Sequence, residues 1–398
     1  MVWVPTLKSK FLGVRFDFWI IVLLFLFYSF LYSLLSITRH NHFQSQGIDF
    51  SIYDQALWLY GNFHKPFSTI TNHLDLADRF RPIMVPLSAL FWFTKDERIL
   101  LFFQAVIISA GVFPIWLLAR RVVPQLVAVV IAFLYVDFVG IQSLVAYDFH
   151  EMAVLPVFLG MLFYFLHAGR WLGVLITLFL CLLVREHVGL LLAPLGIFIY
   201  LFTRNIRKAL AVSVISLAWS ISAIKFMMLA FGQETYIQFV NPGDTFGEAV
   251  LNYVMRPDFA IVNFLLPAEK VSTLFWSFLS FGFFPLAYFA MLPVIFFQFA
   301  SRFLDLLHPI RWTPYYHYSA ELAVFFSVST IYFSAELFKK FSHKFFLYFV
   351  IFFLLGSHAV ANFTLHAPLN NLLKRQFYFE EPWVDQIKFI INRIAREA

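Results

Sequence analysis

The sequence predicts an all-α fold: a polytopic bundle of transmembrane helices with a long first loop outside the membrane. Three observations predict it. Of 398 residues, 61% are apolar and 13% charged, where a soluble domain carries about 25% charged residues. Apolar runs near the roughly 20 residues needed to cross a bilayer recur from end to end. The basic residues gather in short clusters between those runs, which is how cytoplasmic loops are marked.

Each observation excludes something. A soluble core could not bury 55 phenylalanines along with this much Leu and Val. A net charge of +6 would hint at nucleic acid in a soluble protein. Here the charge is used up in topology, and no nucleic-acid partner is expected. Cys181 is the only cysteine and lies inside an apolar run, so neither a disulfide framework nor a cysteine metal site is available.

The elements follow in order. Lys8, Lys10 and Arg15 precede an apolar run over 16–37. That run is too long for a signal peptide, and no small-residue cleavage site follows it, so it reads as a retained first span. Further spans are expected at 99–119, 122–146, 151–166, 171–184, 188–203, 209–231, 272–285, 287–301, 319–338 and 345–362, about eleven in all. Placing Lys8/Lys10/Arg15, Arg120/Arg121, Arg170, Arg204/Arg207/Lys208 and Lys339/Lys340/Lys344 inside leaves 38–98, 147–150, 185–187, 232–271, 302–318 and the tail after 363 outside. This walk closes only if 82–94, with Pro82 and Pro86, is a re-entrant or interfacial segment. The chain then divides into a transmembrane domain, 1–362, with larger extracytoplasmic loops at 38–80 and 232–271, and a short extracytoplasmic tail, 363–398. Trp383, Ile387, Ile390, Ile391 and Ile394 give that tail helical spacing.

Nearly every conspicuous polar group falls on the outer side, which predicts a cell-membrane protein whose functional face is extracytoplasmic. In the first outer loop, Phe50, Tyr53, Leu57 and Tyr60 share one helical face, and Ser51, Asp54, Gln55 and Trp58 the other. This predicts a short helix lying in the interface, apolar side down. Asp54 is a candidate base; Asp49 is either a second one or an N-cap. Arg79 and Arg81, where the chain re-enters the membrane, could grip a phosphate or simply snorkel. Tyr147-Asp148-Phe149-His150-Glu151 sets three ionisable groups between two spans, where charge is costly and functional by default. Arg185-Glu186-His187 follows a run over 171–184 of about 21 Å, shorter than the roughly 30 Å hydrocarbon core. The triplet is therefore expected at or below the outer boundary, in a polar cavity or in a structural ion pair. His317 completes the outer set. These carboxylates and histidines could hold a divalent metal, but no His-x-Glu-His or Asp-x-Asp pattern assigns one. No Walker loop, dinucleotide fingerprint or nucleophile elbow is present. Asn362-Phe363-Thr364 is a formal sequon.

Asp-Phe-Ser-Ile-Tyr-Asp-Gln-Ala-Leu-Trp at Asp49–Trp58, Tyr-Asp-Phe-His-Glu at Tyr147–Glu151, Arg-Glu-His at Arg185–His187 and His-Tyr-Ser-Ala at His317–Ala320 resemble one family. It is a family of uncharacterised bacterial and archaeal multi-pass membrane proteins, known mainly as a domain of unknown function. The chain departs from its pattern at Asp78-Arg79-Phe80-Arg81-Pro82, where the family tends to show His in place of Arg79; His73 is the substitute available nearby. The architecture is similar to that of the type C glycosyltransferases. That resemblance implies a sugar taken from a polyprenyl-phosphate-linked donor and passed to an extracytoplasmic acceptor. It makes Asp54 or Asp49 the general base. Arg79, Arg81 or Arg185 would hold the phosphate. Asp148, His150, Glu151, Glu186, His187 and His317 would line the substrate site. The partners implied are membrane lipid and the lipid-linked donor. The rival readings are a transporter or lipid-handling protein without transferase activity, and a scaffold that has lost catalysis.

Overall fold

The computed structural model describes residues 14–45, 47–232, 246–341, 343–379 and 382–397. Lys8 and Lys10 fall outside them, as does 233–245 of the second long loop. The helices used below are α1 (Val14–Asn41), α2 (Gly47–Gly61), α3 (Arg98–Ala110), α4 (Gln125–Asp137), α5 (Val139–Tyr147), α6 (Leu155–His167), α7 (Trp171–Leu182), α8 (Ala268–Leu279), α9 (Leu292–Phe303), α10 (Leu322–Lys340) and α11 (Lys344–Thr364). One pair of two-residue strands, Phe67–Ser68 antiparallel to His73–Leu74, interrupts the otherwise helical fold.

Among the described residues six helices are long and apolar enough to cross a membrane: Phe16–Asn41, Arg98–Ala119, Gln125–Tyr147, Ile206–Ala230, His317–Lys340 and Lys344–Thr364. Each matches an expected span to within a few residues. Glu151–His167, Trp171–Leu182, Val188–Thr203 and Phe289–Phe303 are apolar but shorter. The expected count of about eleven is therefore met at full length in six places. The run expected at 272–285 is not one of them, because α8 stops at Leu279 and the chain turns through positive φ at Gly282 and Phe283.

The six long helices divide by burial. His317–Lys340 and Gln125–Tyr147 bury 78% and 72% of their most apolar stretch, while Ile206–Ala230 and Lys344–Thr364 bury 28% each. The first pair forms the centre of the bundle; the second pair exposes Phe, Leu, Val and Ile outward, as lipid contact requires. Two close approaches fix the packing. A Cβ at Gly140 would lie 2.6 Å from the Ser319 carbonyl oxygen, and one at Gly189 would lie 2.1 Å from that of Ser216.

The segment 82–94 forms two short turns, Met84–Leu87 and Ser88–Trp92, too short to cross. The amide of Ile83 donates to the carbonyl of Leu183, 3.0 Å away, pinning this segment to the end of α7. The helix expected at Asp49–Trp58 is α2, but its apolar face does not rest on lipid. Phe50, Tyr53 and Leu57 are buried against Met84, Phe91, Leu100, Leu101 and Phe149. The protein itself covers that face because α3 and the 82–94 turns lie beneath it. The tail does form a helix, Pro382–Glu397, and Leu365 and Ala367 before it are buried in the bundle.

Candidate functional site

The connections between successive helices bring charge together at one end of the bundle. Gln104, fully buried on α3, sets the turn between α5 and α6. Its amide donates to the carbonyl of Asp148 at 2.7 Å, and its carbonyl oxygen accepts from the backbone N–H of His150 at 2.7 Å. The turn so held presents His150 and Glu151 inward. His150 Nε2 lies 3.0 Å from the Tyr53 hydroxyl, and Nδ1 lies 3.0 Å from Glu151 Oε2. Burial pushes the Tyr53 phenol well up, with the Glu151 charge adding to it, so that hydroxyl stays a donor. Burial also lowers His150. The Tyr53 hydroxyl thus donates to a neutral His150, while the other ring nitrogen faces Glu151.

Arg185 closes the cluster from the α7 end. Its Nη1 is 3.5 Å from Glu151 Oε1 and its Nε is 3.7 Å from Glu186 Oε1. His187 Nδ1 is 3.8 Å from the same Glu186 oxygen. Against the cost of burial, His187 and Arg185 hold the Glu186 carboxyl below its ordinary range. The Ser220 hydroxyl donates to the Glu186 carbonyl at 2.5 Å, and the close approach at Gly189 makes this crossing reachable.

Arg81 lies on the other flank. It is 2% exposed and pairs with Asp75 through Nε at 3.0 Å and through Nη2. Its guanidinium lies 4.4 Å from the centre of the Tyr53 ring. Asp75 also accepts from the Tyr60 hydroxyl at 3.3 Å. Arg79 pairs with its neighbour Asp78 at 3.6 Å and sits within electrostatic reach of Glu186. His317 stacks on His150 with ring centres 4.1 Å apart, and the Tyr147 ring is 4.8 Å from His317. The Tyr147 hydroxyl in turn donates to Asp49. Arg311 stacks over Tyr318, 5.1 Å away, and pairs with Asp305 at 2.8 Å.

His150, Glu151, Arg185, Glu186, His187, His317 and Arg81 thus meet, with Asp49 tied to the edge through Tyr147. Asp54 and Asp148 are placed differently. Asp54 faces away from the arginines, and its electrostatic neighbours are Glu97 and His40. His40 itself bridges Glu97 at 3.2 Å. Burial, reinforced by Glu97, raises the Asp54 carboxyl to about 6. Asp148 sends its carbonyl to Gln104, and its charge is felt by Arg39 of α1. The residues that sequence reasoning passed over are Tyr53, Asp75, Gln104 and Arg311. In the sequence Tyr53 reads only as part of the apolar face of its helix, and Gln104 stands as an amide in the run 99–119. Among the described residues no three His, Cys, Asp or Glu side chains form a group that could hold a metal ion, so no ligand set is assigned.

Among curated proteins and among solved structures nothing matches this chain. A family model does, over residues 39–395, which takes in every cluster residue named above. With nearly the whole length matched, the chain belongs to the predicted membrane protein family DUF2079, a family of unknown function.

Proposed function

We propose that this membrane protein transfers a sugar from a polyprenyl-phosphate-linked donor to an acceptor on the extracytoplasmic face. One observation carries the reading: Asp54, a half-buried acid raised to about 6, lies on the same short helix as Tyr53, which meets the buried arginine-rich cluster. A general base works best when it titrates near the working pH, and Asp54 meets that condition. Leaving phosphate needs fixed positive charge. Arg185 and Arg79 keep partial exposure and suit that role. Arg81, fully engaged by Asp75, acts as a positioning group for Tyr53. Asp49, bonded to Tyr147, is the second candidate base. On this reading the cluster end faces away from the cytoplasm, and the lipid tail runs along the Phe-rich outer helices.

The test uses purified full-length protein with polyprenyl-phosphate-linked sugars. Asp54→Asn is expected to lower transfer by about 10²–10⁴-fold, the usual worth of a general base, with folding intact. Arg185→Ala is expected to weaken donor binding. Full activity in Asp54→Asn would move the base to Asp49. A protein that transfers from none of these donors yet carries a tightly bound lipid would favour transport or lipid handling. That second reading has its own support in a polar pair within the membrane-spanning helices, Asp137 and His358.

A further inference from the structure

Arg302 lies in the last turn of α9 and is 3% exposed. Its Nη1 donates to the Ser319 hydroxyl at 2.7 Å. Its Nε and Nη2 are buried with no acceptor among the described residues. Those two nitrogens form the side of the guanidinium that can grip an oxyanion with two parallel hydrogen bonds. Arg81 holds Asp75 by this edge, and Arg98 holds Asp96 by it. Arg302 uses it for no carboxylate: Glu321 acts on it electrostatically, but among the described residues the two do not pair.

The sequence His317-Tyr318-Ser319 organises the surroundings of that edge. Ser319 comes close because residue 140 is glycine; a Cβ there would lie 2.8 Å from the Cβ of Ser319. Tyr318 stacks with Arg311, whose charge acts on Arg302, on Arg185 and on His317. His317 Nδ1 is a further buried polar atom with no hydrogen-bond partner among the described residues. Three guanidiniums from distant parts of the chain are thus linked by mutual repulsion. Arg185 is answered by Glu151 and Glu186, and Arg311 by Asp305. Arg302 has a hydroxyl.

A buried charged donor without an acceptor is costlier than a neutral one. The neighbouring Arg311 raises that cost, since it brings a second positive charge. Water can supply acceptors but no charge. An oxyanion supplies both. Among oxyanions a phosphate fits best: two of its oxygens can meet the Arg302 edge while another turns toward Arg311, whereas a carboxylate has no oxygen left over. Leu307, Ile310 and Tyr315, in the stretch that carries Arg311, are exposed. Apolar and tyrosine side chains of this kind suit the level of lipid headgroups.

We infer that the free edge of Arg302, with Arg311 beside it, is a binding site for a phosphate group, borne on a lipid or free in solution. Ser319 is its positioning residue, which gives the His-Tyr-Ser-Ala sequence a role beyond His317. The site does not depend on the transferase reading, because a protein that only binds or moves a lipid phosphate would use it in the same way.

The test is isothermal titration of the full-length chain in a neutral detergent, at constant ionic strength, with inorganic phosphate, farnesyl phosphate and acetate. Saturable binding of a phosphate is expected, and weaker binding of acetate. Tighter binding of farnesyl phosphate than of inorganic phosphate would assign the site to a lipid; the reverse order would assign it to a free phosphate. Arg302→Lys keeps the charge and removes the edge, and should weaken phosphate by roughly 10–100-fold. Loss of binding in Arg185→Lys but not in Arg302→Lys would overturn the inference while leaving the donor contact proposed for Arg185 in place. If Arg302→Lys does not fold, Ser319→Ala decides: it keeps the guanidinium but frees its Nη1, and should weaken phosphate by roughly 2–10-fold. Unchanged binding in that variant, acetate bound as tightly as phosphate, or a wild-type chain that binds neither phosphate would each overturn the assignment.

Discussion

The charge cluster at the end of the bundle and the Asp137–His358 pair within it stabilise buried charge in opposite ways. The cluster multiplies charges. Glu151 is met by His150 and Arg185, Arg185 by Glu151 and Glu186, and Arg81 by Asp75. The internal pair has a single acid, and most of its partners are neutral: Asn362, Gln142, a main-chain carbonyl and tyrosine hydroxyls. The difference is one of distance from water. At a helix end, several long side chains can reach in from loops and keep part of their hydration, as Arg185 does. Between broken helices there is room for one acid and one imidazole, and amides supply the rest. Charged pairs are unforgiving when one member is lost, because the survivor stays buried alone. Amides can be replaced at lower cost, because the orphaned group is neutral.

The largest effect is therefore expected in the cluster. Arg81→Ala leaves the buried Asp75 carboxylate without its guanidinium and should cost about 3–5 kcal/mol. Unfolding of the detergent-solubilised chain measures it. The double variant Arg81→Ala/Asp75→Ala should recover much of the loss, since no lone charge remains. If the double variant were no better than the single one, the cost would lie in lost packing on Tyr53 rather than in charge.

An intermediate effect belongs to Gln104→Leu. This change keeps the volume but removes the bonds that Gln104 makes to the His150 N–H and the Asp148 carbonyl, at roughly 1–3 kcal/mol for a buried group that loses its partner. It should also loosen the turn that aims His150 at Tyr53, so the transfer proposed above should fall alongside stability. An unchanged melting temperature would mean that the turn holds itself without α3.

These residues also mark how far the sequence could be read. Most of the cluster's members were legible as charges at span boundaries, since His150, Glu151, Arg185, Glu186 and His187 break apolar runs. Their grouping followed from putting the basic loops on one side. Two things were not legible. The first is which side of α2 faces the cluster. Tyr53 and Asp54 are neighbours, and the apolar face of that helix is covered by protein, so the residue that meets the cluster is Tyr53. A periodicity argument can tell an apolar face from a polar one, but not lipid from protein beneath it. The second is the internal pair. Asp137 and His358 were each a lone ionisable residue inside an apolar run, as plain in the sequence as the boundary clusters. Their partnership spans 221 positions, and no local spacing records it. The sequon at Asn362 is a pattern too common by chance to use, and its side chain is spent on Asp137.

The smallest effect separates Asp54 from both regions. Its carboxyl has neither the guanidinium partners of the cluster nor the amides of the internal pair. Its value rises to about 6 from an ordinary 3.8 through burial and Glu97, with His40 opposing. A carboxyl whose folded value lies above its unfolded value binds its proton more tightly when folded. The stability this gives is fully present below the unfolded value, near 3.8, and is lost as pH rises through about 6. At neutral pH the ionised Asp54 is therefore a mild burden on the fold. Asp54→Asn, which removes the charge and keeps the shape, should raise the melting temperature slightly at pH 7. The gain should shrink as pH falls through about 6 and vanish below about 4, where both side chains are neutral in both states. Melting curves of the two proteins across that range measure it. A variant less stable than wild type at pH 7 would show that the Asp54 charge is paired after all, with His40 the nearest cation, and would place Asp54 among the structural ion pairs rather than apart from them.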